Sequence, residues 1–263
     1  MYILNVMINK KYQKSIRDKE YSYKNQFIYE KISERITDSI DLINYKFRNV
    51  LGLGINEDLI YNYLLKKFNS NILRCDISNR KFTKIKLQNY FEFDIDNWEK
   101  NENSFDLIYS NFYLHLTNNF ELLLKNIYNS LNSDGFLIFT LPGASNFFQI
   151  TDTMIQTDID LYSGAYKRKN PSIDINEILI ILKKLNFKIP VINSEKIQFE
   201  YKNFNKLLQD LRSMSMSYLY DDKKTIFEKK EFLNRLKENY KKNYFYKNNY
   251  KLDCEVITVS CWK

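Results

Sequence analysis

The chain has 263 residues, a net charge of +8 and three cysteines, Cys75, Cys254 and Cys261. A chain of this length buries a core without staples, and cysteines this few, with no zinc-ligand spacing, exclude a disulfide framework and a zinc finger. The basic balance runs through a Lys-, Asn-, Ile- and Tyr-rich composition with five glycines and three prolines, so no nucleic-acid partner is expected.

The opening MYILNVMINKKYQK lacks an apolar run long enough for a secretory leader, and Met7 is a second candidate start. No stretch reaches membrane-spanning length. A reducing compartment is expected: the cytoplasm of a bacterium, or the mitochondrial matrix of a eukaryote. Residues 8–47 are polar and helical in character. Within them Phe27, Ile28, Ile32, Ile36, Ile40 and Ile43 recur at helical spacing. FRNVLGL (47–53) predicts a strand and DLIYNYLLKKF (58–68) a helix. NILRCDI (71–77), part of KLQNYFEFDI (86–95) and SFDLIYSNF (104–112) predict three more strands. FELLLKNIYNSL (120–131) predicts a helix, with Gly135 as its cap or turn. FLIFTLPG (136–143) is a fifth strand.

After Gly143 the rhythm changes. A polar stretch leads to the basic run Lys167, Arg168 and Lys169 before Pro171, read as a protein-facing surface or a solvated loop. Asp174 and Glu177 open a helix to Leu185 in capping-box fashion. FKIPVIN (187–193) and KIQFEY (196–201) read as two strands. Helices follow at 203–213 and 224–241, and DCEVITVSCWK (253–263) closes the chain as a strand. Strands alternating with helices argue a parallel sheet covered on both faces.

The chemistry concentrates at strand ends. Gly52 and Gly54 form a turn between a strand and a helix, where backbone amides approach a bound phosphate or carboxylate. Asn56 tolerates a left-handed backbone better than most residues. Asp76 lies 22 residues after Gly54, at the end of the second strand. A carboxylate there takes the hydroxyls of a ribose, or else caps a turn. Asp94 stands at the end of the third strand, with Asp96 as a competitor for the same role. The sole histidine, His115, follows the fourth strand and is either a base or a packed residue.

In this order of strands and acids the chain resembles class I S-adenosylmethionine-dependent methyltransferases. FDLIYSNFYLHLTNNFELLLKNIYNSLNSDGFLIFTLPG is similar to the relatives of malonyl-acyl-carrier-protein O-methyltransferase. KKYQKSIRDK, FKIPVINSEKIQFEY, LLQDLRSMSMSY and VSCWK look like the respiratory complex I assembly-factor branch, which includes a protein arginine hydroxylase. The resemblance implies an α/β, Rossmann-like seven-stranded sheet with its last strand antiparallel and a helical cap in the C-terminal third. The expected division is an N-terminal helical segment (1–46), a core (47–195 and 252–263) and a cap insertion (196–251). The implied cofactor is S-adenosylmethionine. Gly52, Gly54 and Asn56 would approach it, Asp76 and Ile77 would hold its ribose, Asp94 and Ile95 would frame its adenine, and Asn111 would complete the set.

The loop departs from the family pattern, with Gly52 in place of the acid and Asn56 and Asp58 in place of two glycines. Ser215 and Tyr218 stand where the branch has Met-Gly and Asn. Methyl transfer needs mainly positioning. Hydroxylation needs an oxidant and a redox partner, and one histidine cannot complete a two-histidine iron site. No metal is expected. Three functions follow: modification of a protein side chain, of a complex I subunit by the resemblance; carboxyl O-methylation on an acyl carrier protein; or a non-catalytic assembly factor with an eroded loop.

Overall fold

The computed structural model describes residues 7–19, 26–54, 58–78, 89–98, 103–214, 217–223 and 231–263. Its strands are β1 (Asn49–Leu53), β2 (Asn71–Asp76), β3 (Tyr90–Glu92), β4 (Phe105–Asn111), β5 (Leu131–Pro142), β6 (Lys188–Tyr201), β7 (Phe245–Tyr246) and β8 (Asn249–Trp262). They form one sheet in the order β3-β2-β1-β4-β5-β8-β6, with β7 paired to β8 off this path. The pairs among β1 to β5 are parallel, and β8 runs antiparallel to both β5 and β6. This is the Rossmann-like sheet expected from the sequence, with two-residue β7 as an addition.

The described helices are α1 (Lys10–Arg17), α2 (Phe27–Asp41), α3 (Leu59–Phe68), α4 (Phe120–Ser130), α5 (Phe148–Tyr162), α6 (Ile175–Lys184), α7 (Phe204–Ser213) and α8 (Phe232–Tyr244). Ile36 and Ile40 of α2, with Ile60 and Leu64 of α3, pack with Val50, Ile72, Leu107 and Ile138 of the sheet. Leu123 and Ile127 of α4, with Ile178 and Leu182 of α6, join Leu51, Ile108, Leu137 and Val259 in a second cluster. Alternate strand residues thus go to opposite faces, and both faces are covered, which is why these strands read as nearly unbroken apolar runs. A third cluster holds Phe204 and Leu207 of α7 and Leu236 and Tyr240 of α8 together with Phe112, Phe147 and Leu252.

Four local readings need correction. The segments 187–193 and 196–201 are one strand, β6, which slips register between Lys188 and Val191 and continues through the residue 195 boundary. Gly135 is not a helix cap: it lies within β5, beside Asp134 at φ +62°, where the pairing with β4 is irregular. Phe27 is exposed, whereas the four isoleucines from Ile28 to Ile40 are fully buried. Helix α5 was not foreseen. The helix expected at 224–241 is present from Phe232, and residues 224–230 of that expectation lie outside the described residues.

Candidate functional site

The strand order reverses between β1 and β4, so the carboxyl ends of β1, β2 and β4 flank the crevice where ligands of open α/β sheets dock. Gly54 ends β1 with φ +73°, a conformation an L side chain adopts only at a cost. Its amide donates to the Cys75 carbonyl at 2.9 Å. The ring of Tyr113 lies directly over it: a Cβ on Gly54 would fall 2.0 Å from Tyr113 Cγ. The Tyr113 hydroxyl accepts from the Ile77 amide at 3.2 Å. Gly52 faces Tyr109, whose ring would meet a Cβ there at 2.6 Å. Gly52 therefore serves close packing between β1 and β4.

Asp76 closes β2 and is 3% exposed. It is not an open acid. Arg17, from the last turn of α1, donates Nε to Oδ1 at 2.8 Å and Nη2 to Oδ2. Ser78 N also donates to Oδ1, at 3.0 Å. Burial would lower the Arg17 pKa, but the charge and hydrogen bonds of Asp76 raise it above the ordinary value. The guanidinium carbon sits 4.9 Å from the Tyr113 ring centroid.

The same helix meets the neighbouring acids. Lys10 Nζ lies 3.3 Å from Asp94 Oδ1 and 2.9 Å from Asp96 Oδ2, and Lys14 pairs with Glu92. Lys10, Lys14 and Arg17 occupy positions i, i+4 and i+7, one face of a helix. That stripe is the sequence signal for this contact, and reading the acids alone misses it. Asp94 caps the 3₁₀ turn Ile95–Asn97, accepting from Asp96 N, with Ile95 buried. Asp96 takes bonds from Thr117 Oγ1 and Asn118, so it braces the loop after β4.

Asn111 is held within the protein. Its amide nitrogen donates to the Tyr29 carbonyl at 3.0 Å and its oxygen accepts from Thr140 Oγ1 at 2.9 Å. Burial pushes the Tyr29 phenol up to about 12, against the charge of Arg17. His115 is 7% exposed, and neither ring nitrogen meets a hydrogen-bond partner among the described residues. Burial pushes its pKa down to about 3, with the Arg17 charge as a second cause. The Gln13 side-chain amide, on α1 and 1% exposed, is likewise unmatched.

Asn56 and Ser215 lie outside the described residues. Asp58 does not leave a free charge at the loop: it accepts from the fully buried Arg74 at 2.6 Å, which also stacks on Tyr61. The basic run is largely turned inward. Arg168 Nε donates to buried Asp158 at 3.0 Å, and Lys169 Nζ donates to the Ala144 carbonyl at 2.6 Å. Lys167 is exposed and pairs with Asp222. Among the described residues no group of three or more His, Cys, Asp and Glu is placed to hold a metal, and no helix is long and apolar enough to cross a membrane.

The donor set suits an adenosine cofactor. A left-handed glycine ends β1 and a carboxylate ends β2, while unmatched Gln13 shares α1 with Arg17 and unmatched His115 lies close enough to feel the Arg17 charge. Arg17 and Tyr113 cover that edge and would have to turn aside.

Comparison with known proteins agrees with this fold. The chain is 24% identical over 215 residues to the mitochondrial arginine-hydroxylase NDUFAF5 of Homo sapiens, covering 80% of this chain and 62% of that protein. It thus spans about three-fifths of the length of that relative. It is 24% identical to the malonyl-[acyl-carrier protein] O-methyltransferase 2 of Ilyobacter polytropus, covering 90% of each chain. The fold is shared with a SAM-dependent methyltransferase from Archaeoglobus fulgidus (TM-score 0.51, 15% identity, 89% of this chain and 94% of that one). It is also shared with Haemonchus contortus phosphoethanolamine N-methyltransferase 2 (TM-score 0.52, 16% identity, 95% and 60%). A family model described as a methyltransferase domain matches residues 28–190, and with that match the chain belongs to the class I S-adenosylmethionine methyltransferase family.

Proposed function

We propose that the protein binds S-adenosylmethionine at the carboxyl edge of β1, β2 and β4 and modifies a protein side chain. The observation that carries this reading is the placement of Gly54, at φ +73°, beside the buried carboxylate of Asp76 at the fold's switch point. Asp76 would take the ribose hydroxyls, with Ile77 beside it, and Asp94 with Ile95 would frame the adenine. Gly54 would leave its backbone open to the cofactor once Tyr113 rotates. The cofactor supplies an activated methyl group, so the protein's part is orientation and exclusion of water. His115 is kept neutral by burial, its pKa pushed down to about 3, so it would hydrogen-bond a substrate as a neutral ring and is too weak a base to take its proton. Asn111 acts through position, fixing the end of β4 to α2. The stretch 196–251 forms the cap over the substrate side.

The protein-directed role draws its support from the match to an arginine-hydroxylase, and a respiratory complex I subunit is the partner the sequence resemblance implies. Two observations favour other readings. The match to a malonyl-[acyl-carrier protein] O-methyltransferase over 90% of each chain favours a carboxyl acceptor on a carrier protein. Arg17 on Asp76 and Tyr113 over Gly54 favour a protein that keeps the fold and binds cofactor weakly, as does the departure from a three-glycine loop. Calorimetric titration with S-adenosylmethionine decides first. We expect saturable binding that Asp76→Asn weakens. Absence of heat at millimolar cofactor would leave the non-catalytic reading in possession.

A further inference from the structure

Under the cap lies a cavity of about 1090 Å³, walled by α1, α5, α7, α8 and the segments 165–169 and 217–223. Tyr12 of α1 lines it, while Gln13 and Arg17 of the same helix are buried at the cofactor edge. The helix therefore borders both spaces. Asn146 forms part of the cavity wall and is fully buried, and neither its amide nitrogen nor its oxygen meets a partner among the described residues. A buried donor or acceptor left unmatched costs about 1–3 kcal/mol, so an unmatched carboxamide in a cavity wall marks a place where a ligand completes the bonding.

The turn around Asn146 is firmly fixed. Gly143 N donates to the Glu255 carbonyl at 3.0 Å, and Ser145 N and Oγ both donate to Glu255 Oε2 at 2.6 Å. Phe147 N donates to the Asp253 carbonyl at 2.9 Å, and Phe147 itself holds φ +53°. A recognition group gains from such a rigid support. The charges beside it are unbalanced. Lys167 is matched by Asp222 and Arg168 by Asp158. Lys169 lies on the Ala144 carbonyl, two residues from Asn146, and burial lowers its pKa against the opposing charge of Glu255. Arg212 and Lys223 add positive charge to the lining, and Asp221 offsets one of them. Apolar wall comes from Phe147, Met154, Leu211 and Phe232.

We propose that this cavity is the acceptor site and that Asn146 and Lys169 together read a carboxylate that also carries an amide and an apolar body. That is the chemistry of an acylated amino acid or of a peptide's carboxyl-terminal residue. The amide group answers both halves of the Asn146 carboxamide, and the carboxylate answers Lys169. The Asn146 side chain is covered in this state, so binding includes a rearrangement in the wall. The word acceptor rests on the methyltransferase reading; the ligand site stands on the cavity alone.

Three probes separate the parts, titrated by calorimetry into the full chain with and without S-adenosylhomocysteine. N-acetylphenylalanine carries amide, carboxylate and ring; 3-phenylpropionate lacks the amide; N-acetylphenylalaninamide lacks the carboxylate. We expect N-acetylphenylalanine to bind about ten-fold or more tightly than either of the others, the worth of one or two hydrogen bonds. Asn146→Leu should bring it down to the level of 3-phenylpropionate, and Lys169→Met to that of the amide. Asn146→Leu should also raise the melting midpoint by about 2 °C or more, because it removes an unmatched polar group from the interior while keeping the same branching beside a cavity that has room for the methyl groups. Equal binding of the three probes overturns the proposal. So does an Asn146→Leu chain that keeps the preference, or one that melts lower, which would make Asn146 structural. Probe binding without any S-adenosylhomocysteine binding would sink the acceptor role and keep the ligand site. Binding of S-adenosylhomocysteine without probe preference would sink the site and keep the proposed function.

Discussion

Asp76 is claimed twice: by Arg17 in this structure, and by a ribose in the proposed function. The two cannot share both carboxylate oxygens, so release of Arg17 is part of the binding equilibrium. Arg17→Met should tighten cofactor binding by about ten-fold, about 1.4 kcal/mol, near the low end of the 1.5–3 kcal/mol that hydrogen bonds to a charged group contribute. The same change should lower stability without cofactor by about 3 kcal/mol, since it strands a buried carboxylate. An unchanged dissociation constant would show that Arg17 does not compete. His115 gives a second expectation at this scale. The unfolded chain binds a proton there near pH 6.5, whereas the folded protein does not until about pH 3. Protonation therefore favours unfolding, and stability is lost as pH falls through that window. Between pH 7 and pH 5 the loss should be about 2 kcal/mol from this group. Denaturant midpoints at both pH values check it, and His115→Phe should flatten the difference.

At the scale of elements, β1, its turn and the residue after β4 are built around one contact. Gly54→Ala would place a methyl group 2.0 Å from Tyr113 Cγ at φ +73°. We expect a loss of about 3 kcal/mol, from a left-handed alanine and an overpacked neighbour together. In a Tyr113→Ala background the loss should fall to about 1–2 kcal/mol, the backbone part alone. A double-mutant cycle with no coupling would mean that Tyr113 already moves freely off the glycine. The strands here were legible in the sequence because burial on both faces makes them apolar throughout. Helix α5 was not. It buries Gln149, Thr153, Thr157 and Asp158 with a single apolar residue, Ile150, so its inward face is mostly polar and shows no clear hydrophobic period. Its N-cap is Phe147 in a left-handed conformation, with no side-chain capping bond. The acids at the strand ends were legible by position. Their partners were not, because Lys10, Lys14 and Arg17 reach them from 59 or more residues away in sequence in pairs such as Arg17 with Asp76. The direction of Lys169 and Arg168 toward the interior depends on Ala144 and on Asp158 of the unforeseen helix.

For the whole molecule, the question is whether the cap melts with the sheet or apart from it. Strands β6 and β8 pair from Lys188–Trp262 at the sheet body to Tyr201–Tyr250 beneath the cap, without a break after residue 195 beyond the slip near Lys188. Leu236 and Tyr240 of α8, in the proposed cap, pack in one cluster with Phe112 at the end of β4 and Phe147 after β5. Tyr240 also donates its hydroxyl to the Lys251 carbonyl at 2.5 Å. Continuous strands and a shared cluster argue for one cooperative unit. Leu236→Ala, at a fully buried cap position, should cost about 2–5 kcal/mol. The chain's two tryptophans report from elsewhere: Trp262 packs on Phe136 with centroids 4.6 Å apart, and Trp98 on Phe93 at 5.4 Å. If the cap and sheet unfold together, the tryptophan fluorescence midpoint of Leu236→Ala should fall as far as the far-ultraviolet circular dichroism midpoint. A fluorescence midpoint that stays at the parent value while helical signal is lost earlier would make the cap a separate unit, free to open over the cavity without disturbing the cofactor edge.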